Sequence, residues 1–200
     1  MNRPASTPSR DLAMIAIFAG LIAALGLIPA FSLPGSSVPI TAQTLGVMLA
    51  GAILGPRRGG LAVLVFLALI ALGLPLLAGG RGGLGVFASP TMGYLIAFPI
   101  AAFCIGAAVY ALGAPYRLTW GLAINLAFGV LLVNVIGGLG MMERLDLSLN
   151  AATTIVVTFL PGDIAKAVLC ALIARGVHAS YPGLLPSRRS EQPVAEHTSA

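Results

Sequence analysis

Residues 12–30, LAMIAIFAGLIAALGLIPA, contain no charged side chain, and their reading decides the fold. A helix of about 20 residues rises far enough, at 1.5 Å per residue, to cross a hydrocarbon core of about 30 Å. The run is longer than the roughly 7–15 apolar residues of a signal peptide. Although Arg3 and Arg10 precede it, it therefore reads as a retained membrane helix. Comparable runs recur at 39–54, 61–77, 90–112 and 118–141, and a last one ends near Ala174. The whole chain agrees, with 58% hydrophobic and 8% charged residues and a mean hydropathy of +0.99. An ordinary soluble domain carries about 25% charged residues. The sequence thus predicts an all-α membrane protein of six transmembrane helices over 12–180, with no separate soluble domain. Residues 1–11 form an N-terminal tail, and 181–200, rich in Ser, Pro and charge, are expected to be disordered.

Charge placement predicts the orientation. Arg3, Arg10, Arg57, Arg58, Arg117, Arg175, Arg188 and Arg189 fall on one side of the six spans, against Arg81 and Arg144 on the other. Because cytoplasmic loops carry the excess of Lys and Arg, both termini are expected in the cytoplasm. The pI of about 9.9 therefore reports topology, not affinity for nucleic acid. Cys104 and Cys170 lie in apolar runs without metal-ligand or redox spacing and read as small buried hydrophobes.

Proline stands at the start of each span that enters from the outside, at Pro39, Pro90 and Pro161. Proline suits the first helical position, where its missing donor has no partner to lose. Three positive helix ends would then converge on the outer face and favour an anion, unless the prolines simply start helices. Pro161 also disfavours helical angles at Leu160. The expectation is a short loop helix over 150–160 and a last span beginning at Pro161.

Asp163 and Lys166 are the only charged residues within a predicted span. A charge in hydrocarbon costs a few kcal/mol or more (about 2.5–3.5 on insertion scales) unless paired or hydrated. At i, i+3 they share a helix face, either as a structural ion pair or as the lining of a polar cavity. Ala78 to Gly85 is glycine-rich and contains GxGxxG, but no strand precedes it, so the nucleotide reading fails. Arg81 in this loop is a bidentate carboxylate donor on the outer side, or else a solvated arginine in a flexible turn. Gln43 and Tyr94 fall in the first turns of the second and fourth helices, at the same outer level, offering a carboxamide and an aromatic face with a polar tip. Asn125 and Asn134 are expected to bond to neighbouring helices. Ala16, Gly20 and Ala24 line one face of the first helix, where small residues admit another helix, from a partner or from the same chain.

Absences bear on the reaction class. The lone lysine, Lys166, follows Ala165, so no GxxxxGK[ST] phosphate loop exists, and neither HExxH nor GxSxG occurs. Solute binding is favoured over catalysis. The rivals are a lipid-modifying enzyme using Asp163 and Lys166 as acid and base, and a scaffold in which the pair only locks helices.

An ordered set of motifs carries a resemblance. Pro39-Ile40-Thr41-Ala42-Gln43-Thr44-Leu45-Gly46, Leu54-Gly55-Pro56-Arg57-Arg58-Gly59, Gly73-Leu74-Pro75, Ser89-Pro90-Thr91-Met92-Gly93-Tyr94 and Leu160-Pro161-Gly162-Asp163-Ile164-Ala165-Lys166-Ala167 resemble the BioY family. These are the biotin-binding (S) components of energy-coupling factor transporters. The resemblance implies a six-helix protein of the cytoplasmic membrane with its pocket toward the extracellular side. It implies biotin as transported substrate, with no cofactor held by this chain. It further implies a transmembrane coupling (T) protein docked on Ala16, Gly20 and Ala24, and cytoplasmic ATPase subunits that use the ATP. A second copy of the chain is an alternative partner, and another small vitamin an alternative substrate. Asp163 would face the ureido ring with Gln43 at its polar edge and Tyr94 over its apolar face, leaving Arg81 or Lys166 for the carboxylate.

Overall fold

A computed structural model describes residues 8–28 and 40–186, and among these it is all-helical, with no strand beyond one isolated bridge between Leu77 and Arg81. The helices are α1 (Pro8–Gly26), α2 (Gln43–Leu54), α3 (Pro56–Ala71), α4 (Met92–Leu112), α5 (Leu118–Leu145) and α6 (Leu149–Ser180). Four of them, α1, α4, α5 and α6, are long and apolar enough to cross a membrane. The 12 residues of α2 rise only about 18 Å. Arg3, Pro39, Arg188 and Arg189, and the predicted tail beyond Pro186, lie outside the described residues.

Close backbone packing explains how a short α2 is held. Gly55, with φ of +81°, ends α2 with its N–H on the Gly51 carbonyl at 3.1 Å, and Pro56 opens α3 at once. Gly59 then lies so near the Ala50 carbonyl that a Cβ there would sit 2.6 Å from it. A larger residue would push α3 off α2. Apolar residues from all six helices, among them Ala19, Val47, Phe66, Ala97, Val133 and Phe159, fill the core between them.

The two ends of the bundle differ in charge. At one end Arg58 pairs with Asp11 at 2.8 Å, His178 Nε2 reaches the Ala52 carbonyl at 2.9 Å, and the Ala114 N–H donates to Pro186 O at 2.9 Å. These contacts gather the start of α1, the α2–α3 junction, the α4–α5 turn and the end of α6, and with them Arg10, Arg57, Arg58, Arg117 and Arg175. At the other end Arg144 contacts the Met92 sulfur at 3.2 Å, and the turn carrying Arg81 crosses over the start of α2.

Several boundaries differ from expectation. The expected break at Pro161 does not occur: α6 runs unbroken through it for 32 residues, capped by Ser148, whose Oγ accepts from Ala151 N at 3.3 Å. An interior proline forfeits one ladder bond, whereas unwinding a turn in apolar surroundings would expose several backbone groups, each costing several kcal/mol. The helix therefore absorbs the proline, and residues 150–160 form its first third. Asp163 and Lys166 consequently lie mid-helix. Pro90 also precedes α4, which starts at Met92 after Thr91. α6 begins at Leu149, 12 residues before Pro161, so Pro161 opens no third helix N-terminus beside Asp163 and the expected anion site at three proline-led helix starts is not formed. The third span ends early, at Ala71, and the fifth continues to Leu145 through a π-helical stretch, Asn125–Leu132.

Candidate functional site

Asp163 is 7% exposed, and both of its oxygens are engaged. Oδ1 lies 2.9 Å from Lys166 Nζ, one turn along α6, and Oδ2 accepts from Asn134 Nδ2 on α5 at 2.8 Å. Lys166 Nζ also donates to Thr44 Oγ1 on α2 at 3.0 Å. The charged pair thus ties three helices together, and its two members are each other's partner. A buried carboxylate held by a cation and an amide donor satisfies the rule that buried charge must be paired and hydrogen-bonded.

Around this pair lies a cavity toward the end of the bundle that carries Arg81 and Arg144, lined by Gln43, Thr44, Arg81, Thr91, Tyr94, Phe159, Asp163 and Lys166 along with apolar neighbours. Gln43, the first residue of α2, is 2% exposed, and its Nε2 donates to the Leu76 carbonyl at 3.0 Å. That bond fixes the amide and ties the Arg81 loop to α2. Tyr94 enters from the first turn of α4, with its ring edge-on to Phe159 at 6.3 Å and 67°. Its hydroxyl is buried with no protein partner. Arg81 is part-buried, its Nε donating to Ala78 O at 3.2 Å. With Asp163 negative and Lys166 and Arg81 positive, the lining carries one net positive charge. It therefore suits an anionic ligand with polar and apolar faces.

The five residues singled out for the site, Gln43, Arg81, Tyr94, Asp163 and Lys166, all line this one cavity. Thr44, Thr91, Phe159 and Asn134 were missed as contributors. Asn134 bonds to a neighbouring helix as expected, and Asn125 contacts the Cys170 thiol on α6 while also donating to Gly121 O in its own helix at 2.8 Å. The free space is about 60 Å³, room for only a few waters, each of which takes about 30 Å³ in the liquid. A bicyclic ligand would have to displace part of the wall. The loop over the cavity turns at Gly79, Gly80 and Gly83, all with positive φ, a conformation glycine adopts without steric cost.

Ala16, Gly20 and Ala24 lie elsewhere, on an exposed face of α1, and a Cβ at Gly20 would meet nothing within 4 Å. Only 11% of the α1 membrane-length window is buried, against 44% in α4.

The model of the BioY family matches residues 1–183. The chain is 44% identical over 193 residues to a biotin transporter BioY of Rhizobium etli, covering 90% of this chain and 98% of that protein. It is 47% identical over 189 residues to the biotin transporter BioY of Rhodobacter capsulatus, with 90% and 98% covered. Among solved structures, a crystal structure of the S-component for biotin from an ECF-type ABC transporter superposes with a TM-score of 0.84 at 33% identity. That match covers 89% of this chain and 95% of the other.

Proposed function

The chain belongs to the BioY family, and from that premise we propose that it binds biotin and carries it across the cytoplasmic membrane as the S component of an energy-coupling factor transporter. In this reading α1 to α6 all cross the bilayer and both termini are cytoplasmic. Supporting it, Arg10, Arg57, Arg58, Arg117 and Arg175 gather at one end of the bundle and the cavity opens at the other.

The convergence of a carboxylate, a carboxamide, a phenol and two cations on one cavity carries the substrate reading. Biotin has a ureido ring with two N–H donors and one carbonyl, an apolar bicycle and a carboxylate tail. Asp163 accepts from the ureido N–H groups, Gln43 complements the ring's polar edge, and Tyr94 covers the bicycle. Because Lys166 is already shared between Asp163 and Thr44, Arg81 is the freer cation for the biotin carboxylate. Polar sites of this kind discriminate strongly, since an analogue lacking a group leaves a buried partner unpaired.

The chain carries no phosphate loop, so the reading assigns ATP hydrolysis to partner ATPases, coupled through a transmembrane protein docked on Ala16, Gly20 and Ala24. Titrating purified protein with radiolabelled biotin tests the substrate reading, with ring-altered and carboxylate-blocked analogues as competitors. Saturable binding that both analogues fail to displace is expected. Conversion of a lipid without saturable biotin binding would favour the enzyme alternative instead.

A further inference from the structure

At the end of the bundle opposite Asp163, the α4–α5 turn and the end of α6 enclose two adjoining cavities that share Ala114, Pro115 and Tyr116. One, of about 230 Å³, is lined by Arg117 and Trp120; the other, of about 500 Å³, is lined by Arg175 and His178. Both arginines are exposed, and neither has an ion pair among the described residues. The described acids are committed or distant. Asp11 faces Arg58, Asp163 faces Lys166, and Glu143 and Asp146 lie at the far end of α5.

Two stacked rings form the floor of this region. Tyr116 stacks on His178 with ring centroids 5.1 Å apart. His178 Nε2 must donate to the Ala52 carbonyl, which can only accept. In the neutral ring Nδ1 is then a buried acceptor without a protein donor. The flanks are apolar and exposed. Trp120, 52% exposed, stands three residues beyond Arg117 at the start of α5, and Leu172, 50% exposed, stands three before Arg175 near the end of α6. Since α5 leaves this end and α6 arrives at it, each arginine has a large apolar residue one turn deeper on its own face.

We propose that Arg117 and Arg175 form a binding site for the phosphodiester of an anionic glycerophospholipid. The cations hold the phosphate at the interface while Trp120 and Leu172 contact the acyl region below it. Basic pockets between membrane helices recognise anionic headgroups in this way, with exposed aromatics setting the interfacial level. A free phosphate would use the arginines but not the apolar residues beneath them. A bound lipid would fasten the α4–α5 turn to the end of α6. The inference rests on the chain spanning the membrane, not on which solute it carries.

Native mass spectrometry of the full chain, with phosphatidylglycerol and phosphatidylcholine supplied together, reads the site. The wild type should retain phosphatidylglycerol preferentially, and Arg117→Gln/Arg175→Gln should reduce that preference by roughly fivefold per arginine. The double variant should bind biotin like the wild type, which shows that it is folded. Equal retention of the two lipids would overturn the proposal, as would displacement of the lipid by inorganic phosphate. So would an equal loss in Arg57→Gln, which removes another exposed cation at the same end and would indicate general surface charge. Failure of wild-type biotin binding would instead count against the solute reading alone.

Discussion

Asn134 on α5 donates to Asp163 Oδ2 on α6 across 2.8 Å, at a point where both residues are more than nine-tenths buried. This bond fixes the plane of the carboxylate that, in the proposed site, receives the ureido ring. Asn134→Leu would leave that oxygen unsatisfied at a cost of about 1–3 kcal/mol. Biotin affinity is expected to fall by roughly 10-fold or more, as measured by equilibrium titration of the purified variant. Affinity equal to wild type would remove Asn134 from the site.

The Asp163 and Lys166 pair separates binding from folding. Asp163→Leu leaves a buried ammonium without its counter-charge and should destabilise the protein by about 3–5 kcal/mol, whereas removing both charges costs far less. Asp163→Leu/Lys166→Met should therefore melt close to wild type, well above the single variant, yet show no saturable biotin binding. If the double variant still binds biotin, the pair is only a helix lock and the scaffold reading gains.

Tyr94 is held in place from behind by Gly137 on α5, where an added Cβ would collide with the tyrosine ring. Gly137→Ala should thus displace the ring into the cavity, with an overpacking cost of about 1–3 kcal/mol. Biotin binding should weaken by about 10-fold while thermal stability falls only modestly. Gly176→Ala, whose Cβ meets nothing within 4 Å, is the matched control and should leave affinity unchanged.

In the proposed site the loop over the cavity has to move to admit biotin, because only about 60 Å³ is free beneath it. Hydrogen exchange at residues 78–85 should slow when biotin is added, while the α2–α3 junction around Gly55 should not change. Unaltered exchange over the loop would place the entry route elsewhere.

These expectations show where the sequence was informative. Asp163, Lys166, Arg81, Gln43 and Tyr94 were legible because a polar residue in an apolar helix, or an arginine on the sparsely basic side, is costly or rare enough to need a reason. Thr44 and Thr91 gave no such signal, since a threonine in a membrane helix satisfies its own hydroxyl cheaply, as Thr153 and Thr154 do on carbonyls four residues back. Phe159 looked like any other apolar side chain until packing placed it against Tyr94. Pro161 misled for a related reason. Its local preference to end a helix was weighed as it would be in water, where freed backbone groups find solvent, whereas α6 lies in surroundings that keep the ladder closed.

Gly20 offers the sharpest test of the proposed docking face. Ala16, Gly20 and Ala24 are exposed on α1, and a side chain at Gly20 would touch nothing in this chain. Small residues four apart permit close helix approach, so a bulky one there should block a partner helix without disturbing the fold. Gly20→Leu is expected to keep wild-type thermal stability and biotin affinity but to lose copurification with the coupling protein and biotin uptake by cells. Gly46 provides the contrast, because its Cβ would lie 2.9 Å from the Ile22 side chain and 3.0 Å from that of Leu25, forcing α1 away from α2. Gly46→Leu should therefore lower stability and impair assembly together. If Gly20→Leu preserves uptake, the coupling protein docks on another face of the bundle, and the exposed small residues of α1 meet only lipid.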